Sequence, residues 1–203
     1  MTFSQDFLKH ASTVLDTIDV AQVELVAEGL ASARAKGGRL FVLGVGGSAA
    51  NASHAVADFR KLCDIEAYTP TDNVAELTAR TNDEGWETSL SGWLVGSRVA
   101  PPDALLVFSV GGGDADRGIS TNLIAAVDLA SKRGLPIFAV VGRGGGHVGK
   151  VATAAVIIPP LFPHLVTALT EGIAGVVLHL LVSHPLLATH TAKWESAGED
   201  RHS

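Results

Sequence analysis

One cysteine, Cys63, stands in the 203 residues. It excludes an intramolecular disulfide framework and any cysteine-based metal cluster, and it suits a reducing, cytoplasmic setting. As a small apolar side chain it is expected in a helix end or in the core. Charge is sparse at 18%, the formal net charge is −6, and no run of lysine and arginine interrupts that balance. Such a chain is not a general nucleic-acid binder. Met1 to His10 carries Asp6 and Lys9 and has no apolar core, so no secretory signal is read there. The most apolar stretch, Ile173 to Leu187, is interrupted by His179, His184 and Pro185. It is too short to span a bilayer, so a buried helix and no membrane role are expected. Three motifs are missing too. The Gly-x-Ser-x-Gly elbow fails at Ala50, no glycine run leads into Gly-Lys-Ser/Thr, and Gly44-x-Gly46 lacks the third glycine of the dinucleotide fingerprint at Ala49.

What is present is apolar and glycine-rich: 47% hydrophobic residues and 22 glycines, with 5% aromatics. That is the profile of an Ala/Val/Leu/Gly-rich α/β protein rather than a disordered chain. The length fits one domain over residues 1–203, large enough for a real core. Residues 3–36 read as two helices with a joint near Thr17–Val20. One apolar face is Phe3, Phe7, Val14, Leu15 and Ile18; the other is Val23, Leu25, Val26 and Leu30. This segment packs either on a neighbouring subunit or on its own sheet, and Gly37-Gly38 ends it. Short apolar strands are predicted at 40–43, 104–108, 137–141 and 154–158. Helices are predicted from Ser48 to a solvated end marked by Arg60, Lys61 and Asp64, and at 74–81, 86–99, 122–133 and 164–183, with a turn at Asn82-Asp83-Glu84-Gly85 and a polar, loosely held tail from Thr189. Strands alternating with helices predict a doubly wound parallel sheet flanked by helices. In such a sheet the ligand lies at the carboxyl ends of the strands, where the three glycine loops at 44–47, 111–113 and 142–146 fall.

The loop at 44–48 is the most informative. Gly44, Gly46 and Gly47 permit a sharp turn and close approach to a ligand. Ser48 stands where a helix N-cap is expected. The free amides of the following helix suit a phosphate. On that helix His54 and Asp58 lie at i and i+4 and share a face. On the last helix Glu171 and His179 lie eight residues apart and point to one side, two turns apart. Histidine and carboxylate at such spacings suit a divalent metal such as zinc, or acid–base work. A histidine on an apolar helix is also commonly a hydrogen-bonded core residue; Glu171 on the same helix favours function. The other histidines read as surface or loop residues, with His147 and His164 the exceptions to watch at the strand ends.

At this point the chain resembles a known family. Gly44-Val45-Gly46-Gly47-Ser48-Ala49-Ala50-Asn51-Ala52-Ser53-His54 resembles the Gly-Asn-Gly-Gly-Ser-Ala-Ala-Asp-Ala-x-His segment of sugar isomerase (SIS) domains, in particular the phosphoheptose isomerases. Asn82-Asp83-x-Gly85, Gly142-Arg143-Gly144-Gly145-Gly146 and Thr167-x-x-x-Glu171 with His179 continue the match in order. The resemblance implies an SIS-type, flavodoxin-like fold, usually in a homotetramer whose sites are shared between subunits. It implies a zinc ion held by His54, Asp58, Glu171 and His179. Asp58, Glu171 and His179 would be the proton-transfer groups. A phosphorylated sugar would be bound through Gly46, Gly47, Ser48, Asn82, Asp83, Ser109, Ser120 and Thr121. There are departures. Asp58 replaces Glu, Glu171 replaces Gln, and Val45 replaces Asn. The family's Ser-Thr-Ser-Gly-Asn-Ser cradle becomes Ser109-Val110-Gly111-Gly112-Gly113 followed by an insertion carrying Asp114, Asp116 and Arg117.

Two functions are therefore weighed. The first is an aldose–ketose isomerase converting sedoheptulose 7-phosphate to heptose 7-phosphate through an enediol. The second is a non-catalytic SIS domain that senses a sugar phosphate or binds a protein such as a replication initiator. Val45 and the altered loop favour the second; His54, Asp58 and His179 favour the first.

Overall fold

The computed structural model describes residues 2–196. Glu199, Asp200, Arg201 and His202, part of the expected polar tail, lie outside the described residues. Helices α1 (Phe3–Leu15) and α2 (Val20–Ala35) lead into strand β1 (Leu40–Leu43). Then come α3 (Gly47–Leu62), β2 (Ala67–Tyr68), α4 (Val74–Glu84), α5 (Trp86–Gly96), β3 (Ala104–Ser109), α6 (Thr121–Lys132) and β4 (Ile137–Gly142). The chain continues through α7 (Gly146–Val151), β5 (Ala154–Ile158), α8 (Val166–Val182) and α9 (Lys193–Ser196). The sheet order is β2-β1-β3-β4-β5, every pairing parallel. This is the doubly wound arrangement the sequence predicts, and the order reverses at the β1/β3 boundary.

Both faces of the sheet are covered, as parallel sheets require. The two-residue period of a strand sends alternate side chains into two cores. Leu40, Val42, Leu106, Phe108, Phe138 and Val140 enter one core with α2, α3 and α8. Phe41, Leu43, Leu105, Val107, Ala139 and Val141 enter the other with α5, α6 and α7. Of the two readings open for the N-terminal helices, α2 covers its own sheet: Val23, Val26, Ala27, Leu30 and Ala33 are buried in the first core. Phe3, Leu15 and Leu25 do not join them and are exposed.

Several local expectations are corrected. The helix after β1 begins at Gly47 with Gly46 as N-cap, at φ +64°. Ser48 is therefore its second residue and is buried rather than capping. Residues 82–84 are not a turn but the last turn of α4. Arg80 bridges Glu76 and Glu84 along that helix, which ends at Gly85, where φ is +89°. Thr189 and His190 are held, by hydrogen bonds to the Leu62 carbonyl and from His190 to Asp64. Residues 163–182 are long and apolar enough to cross a membrane by length and composition, so the short span read in the sequence is lengthened; half of that span is buried inside the fold.

Candidate active site

α3 and α8 run side by side from the carboxyl edge of the sheet. The Asn51 amide donates to the Glu171 carbonyl at 3.0 Å. Further along, the Cys63 thiol approaches the Val182 carbonyl at 3.6 Å. The seam between them brings His54, Asp58 and His179 together. His54 Nε2 lies 3.1 Å from Asp58 Oδ2, and His179 Nδ1 lies 3.8 Å from the same oxygen. The two imidazoles meet edge to face with centroids 4.9 Å apart. Asp58 is largely sheltered while both histidines are half-exposed. His179 approaches Asp58 through Nδ1, so its Nε2 is the nitrogen turned away from that contact.

The donor set fits zinc. One atom from each residue lies within 4.8 Å of the others, and two imidazoles with one carboxylate is a zinc-type set that leaves a position for substrate or water. Glu171, the fourth ligand that the resemblance implies, is not part of this group of three. Its carboxylate lies over the start of α3, where a Cβ on Gly47 would fall 2.5 Å from its Cδ and both oxygens. Its side chain is directed to the Gly47 backbone rather than to the Asp58 oxygen that both histidines approach.

The glycine loops form a second feature. Val148 N–H donates to Gly112 and His147 N–H to Gly113, locking the loop after β3 onto α7. A Cβ on Gly112 or Gly146 would collide with the facing loop's backbone, which explains glycine at both. The cavity above this interlock is about 610 Å³. Its walls include Ser48, Ser109, Ser120, Arg117, Arg143 and Lys150, with one carboxylate, Asp114. Gly111, Gly113, Gly144 and Gly146 also line it. Among the described residues their amides are given no partner in the loops' internal hydrogen bonds, and three cations line the same cavity. Ser109 is partly committed, since its Oγ accepts from Gly112 N–H at 3.0 Å.

Other predicted residues lie elsewhere. Gly46 and Gly47 form the turn under Glu171, and Thr121 opens α6 beside Ser120; none of the three lines the cavity. Asn82 and Asp83 are exposed on α4, hydrogen-bonded to each other at 2.7 Å, and line none of the described cavities. A smaller cavity of about 420 Å³ between Arg143 and Glu171 shares Arg143 with the larger one and includes His164. His147, one of the two histidines flagged at a strand end, pairs with Asp128 at 2.6 Å. Sequence reasoning missed Arg143 and Lys150 as anion-facing groups. The signal for them was a basic residue inside a glycine loop and another seven residues on.

The SIS domain family matches residues 3–142 of the chain. A lincomycin biosynthesis protein, LmbN, from Streptomyces lincolnensis is 35% identical over 164 residues, 76% of this chain; the matched stretch spans only 56% of that protein. A phosphoheptose isomerase from Akkermansia muciniphila is 33% identical over 142 residues, covering 68% of this chain and 71% of the relative. Among solved structures, a phosphoheptose isomerase from Neisseria gonorrhoeae superposes with a TM-score of 0.74 at 25% identity, over 90% of this chain and 97% of that one.

Proposed function

This chain belongs to the SIS domain family, and from that membership and the site geometry we propose that it is a phosphosugar aldose–ketose isomerase. Its substrate in this reading is sedoheptulose 7-phosphate, converted to a heptose 7-phosphate. The observation that carries the reading is the convergence of His54 and His179 on one oxygen of Asp58. A scaffold or sensor needs no such acid–base group in a half-open seam.

The cationic, glycine-lined cavity takes the phosphate. Ser48 in that cavity and His54 and Asp58 lie on one helix, about 9 and 15 Å apart along its axis. A long phosphosugar is thereby stretched from the phosphate cavity to the reacting carbons. The Asp58 carboxylate takes the proton from the carbon beside the carbonyl and returns it to the neighbouring carbon. His179 Nε2 moves the proton between the two enediol oxygens. Glu171, whose carboxylate lies over Gly47 at the start of α3 beside the cavity residue Ser48, accepts hydrogen bonds from sugar hydroxyls. Zinc held by His54, Asp58 and His179 would supply polarisation of the sugar carbonyl.

The protein acts in this proposal as a cytoplasmic homo-oligomer, a tetramer. Support comes from the exposed apolar side chains Phe3, Leu8 and Val20 on the N-terminal helices. Asn82 and Asp83, which face no described cavity of their own chain, then serve the site of a neighbouring subunit. The test is an isomerisation assay with sedoheptulose 7-phosphate. Turnover that falls at least a hundredfold in a folded His179→Ala protein supports the assigned role; full activity in that variant refutes it.

A further inference from the structure

The residues between the glycine loop and α6 form a small hairpin. Asp114 and Ile119 exchange backbone hydrogen bonds of 3.0 and 2.9 Å at its root. Gly118, at φ +64°, turns its tip, and Asp114 Oδ1 accepts from the Arg117 N–H at 3.1 Å. Both Arg117 and Ile119 line the 610 Å³ cavity, so the hairpin stands at the cavity mouth. The Arg117 side chain is 73% exposed, and among the described residues its guanidinium pairs with Asp114 alone, at 3.5 Å. An exposed pair of that kind contributes little, so turning Arg117 onto a ligand costs little.

We propose that Arg117 is the specificity-determining residue of this cavity, swinging from Asp114 onto the phosphate dianion of the substrate. The proposal rests on the phosphosugar reading of the cavity. Charge supports it. Arg117, Arg143 and Lys150 oppose the single carboxylate of Asp114, an excess of two positive charges that matches one dianion. Hydroxyls in the cavity are few: Ser109 is engaged with Gly112, leaving Ser48 and Ser120. Recognition therefore rests on ion pairing and loop amides. Arginine suits this, because its planar fork can hold two phosphate oxygens at once.

The experiment measures binding of inorganic phosphate to the full chain by calorimetry at low and high salt, for the unaltered protein, Arg117→Ala and Arg117→Lys. Arg117→Ala is expected to weaken phosphate binding about tenfold, with partial recovery in Arg117→Lys. The salt dependence should flatten in the alanine variant, since one ion pair has gone. Equal phosphate affinity in Arg117→Ala and the unaltered protein overturns the proposal, as does failure of the unaltered protein to bind phosphate. Arg117-dependent phosphate binding in a chain that isomerises no sugar phosphate refutes the isomerase reading and leaves the role of Arg117 standing.

Discussion

Gly47→Ala separates the position of Glu171 from the stability of the fold. Gly47 is the first residue of α3, and its φ lies outside the left-handed region, so the backbone accepts alanine. Alanine is the better helix former, by up to about 1 kcal/mol in a helix interior and less at the first position. The new Cβ would stand 2.5 Å from the Glu171 Cδ and both its carboxylate oxygens. Ordinary contact begins near 3.4 Å, so the carboxylate must retreat by about 0.9 Å. It is the far end of a flexible side chain, and a rotamer adjustment costs about 0.5–1.5 kcal/mol. The two effects nearly cancel, and thermal stability should stay within about 1 kcal/mol of the parent. Activity should not. Misplacement of a positioning group by about 1 Å costs on the order of a hundredfold, or about 2.7 kcal/mol of barrier. The assay is kcat/KM for sedoheptulose 7-phosphate beside a thermal melt, with Gly47→Ala repeated in a Glu171→Ala background. In that background the alanine at 47 should add no further loss, because its effect acts through the carboxylate. Undiminished kcat/KM in the single variant, or full additivity in the double, refutes the placement of Glu171 in the substrate path.

Gly29→Ala is the contrasting substitution: its Cβ would strike the ring of Phe138, a buried side chain in β4. A packed ring cannot swing away, so denaturant unfolding should show a loss of about 1–3 kcal/mol despite the gain in helix propensity. Asp103 accepts from Arg39 Nε, Nη2 and N–H and from the Ala100 N–H, tying the start of β1 to the turn before β3. Asp103→Ala strands those donors and should cost roughly 2–3 kcal/mol, below the full value for a buried pair because Arg39 is partly exposed. Burial raises the Asp103 pKa, but the Arg39 and Ala100 hydrogen bonds outweigh it and hold the carboxyl below its usual range. A depressed folded pKa means this contribution is complete above the unfolded value near 3.9 and is lost as pH falls through the folded value. Acid unfolding of the parent, but not of Asp103→Ala, should therefore steepen below about pH 4. Burial pushes the Cys63 thiol up to about 11, so thiol reagents at pH 8 should leave it unlabelled until the protein unfolds. Elemental analysis of purified protein should find zinc near one per chain, and His54→Ala should remove it; zinc retained in that variant would place the metal elsewhere.

The sheet was readable because four of its strands are unbroken apolar runs that feed two cores at once, a pattern short-range chemistry alone produces. β2 was not, being two residues, Ala67 and Tyr68, paired to Leu40 and Phe41. α7 was hidden for a different reason. Gly146 and Gly149 weaken it as a helix, and it forms because His147 and Val148 donate to the carbonyls of the distant glycine loop. The same interlock sets Arg143 and Lys150 beside Arg117, three cations from two segments that sequence spacing does not connect. His54 and Asp58 were legible as a pair because one helical turn carries both residues. Glu171 shows where that logic stops. Spacing reports the face of a helix, so Glu171 and His179 looked like partners on α8. A metal group also depends on depth along the seam, and depth is set by what lies across it. His179 faces Asp58, whereas Glu171, two turns earlier, faces the bare backbone of Gly47. A side chain at position 47 would have closed that space. The glycine that shapes the turn after β1 therefore also leaves the space that the Glu171 carboxylate occupies.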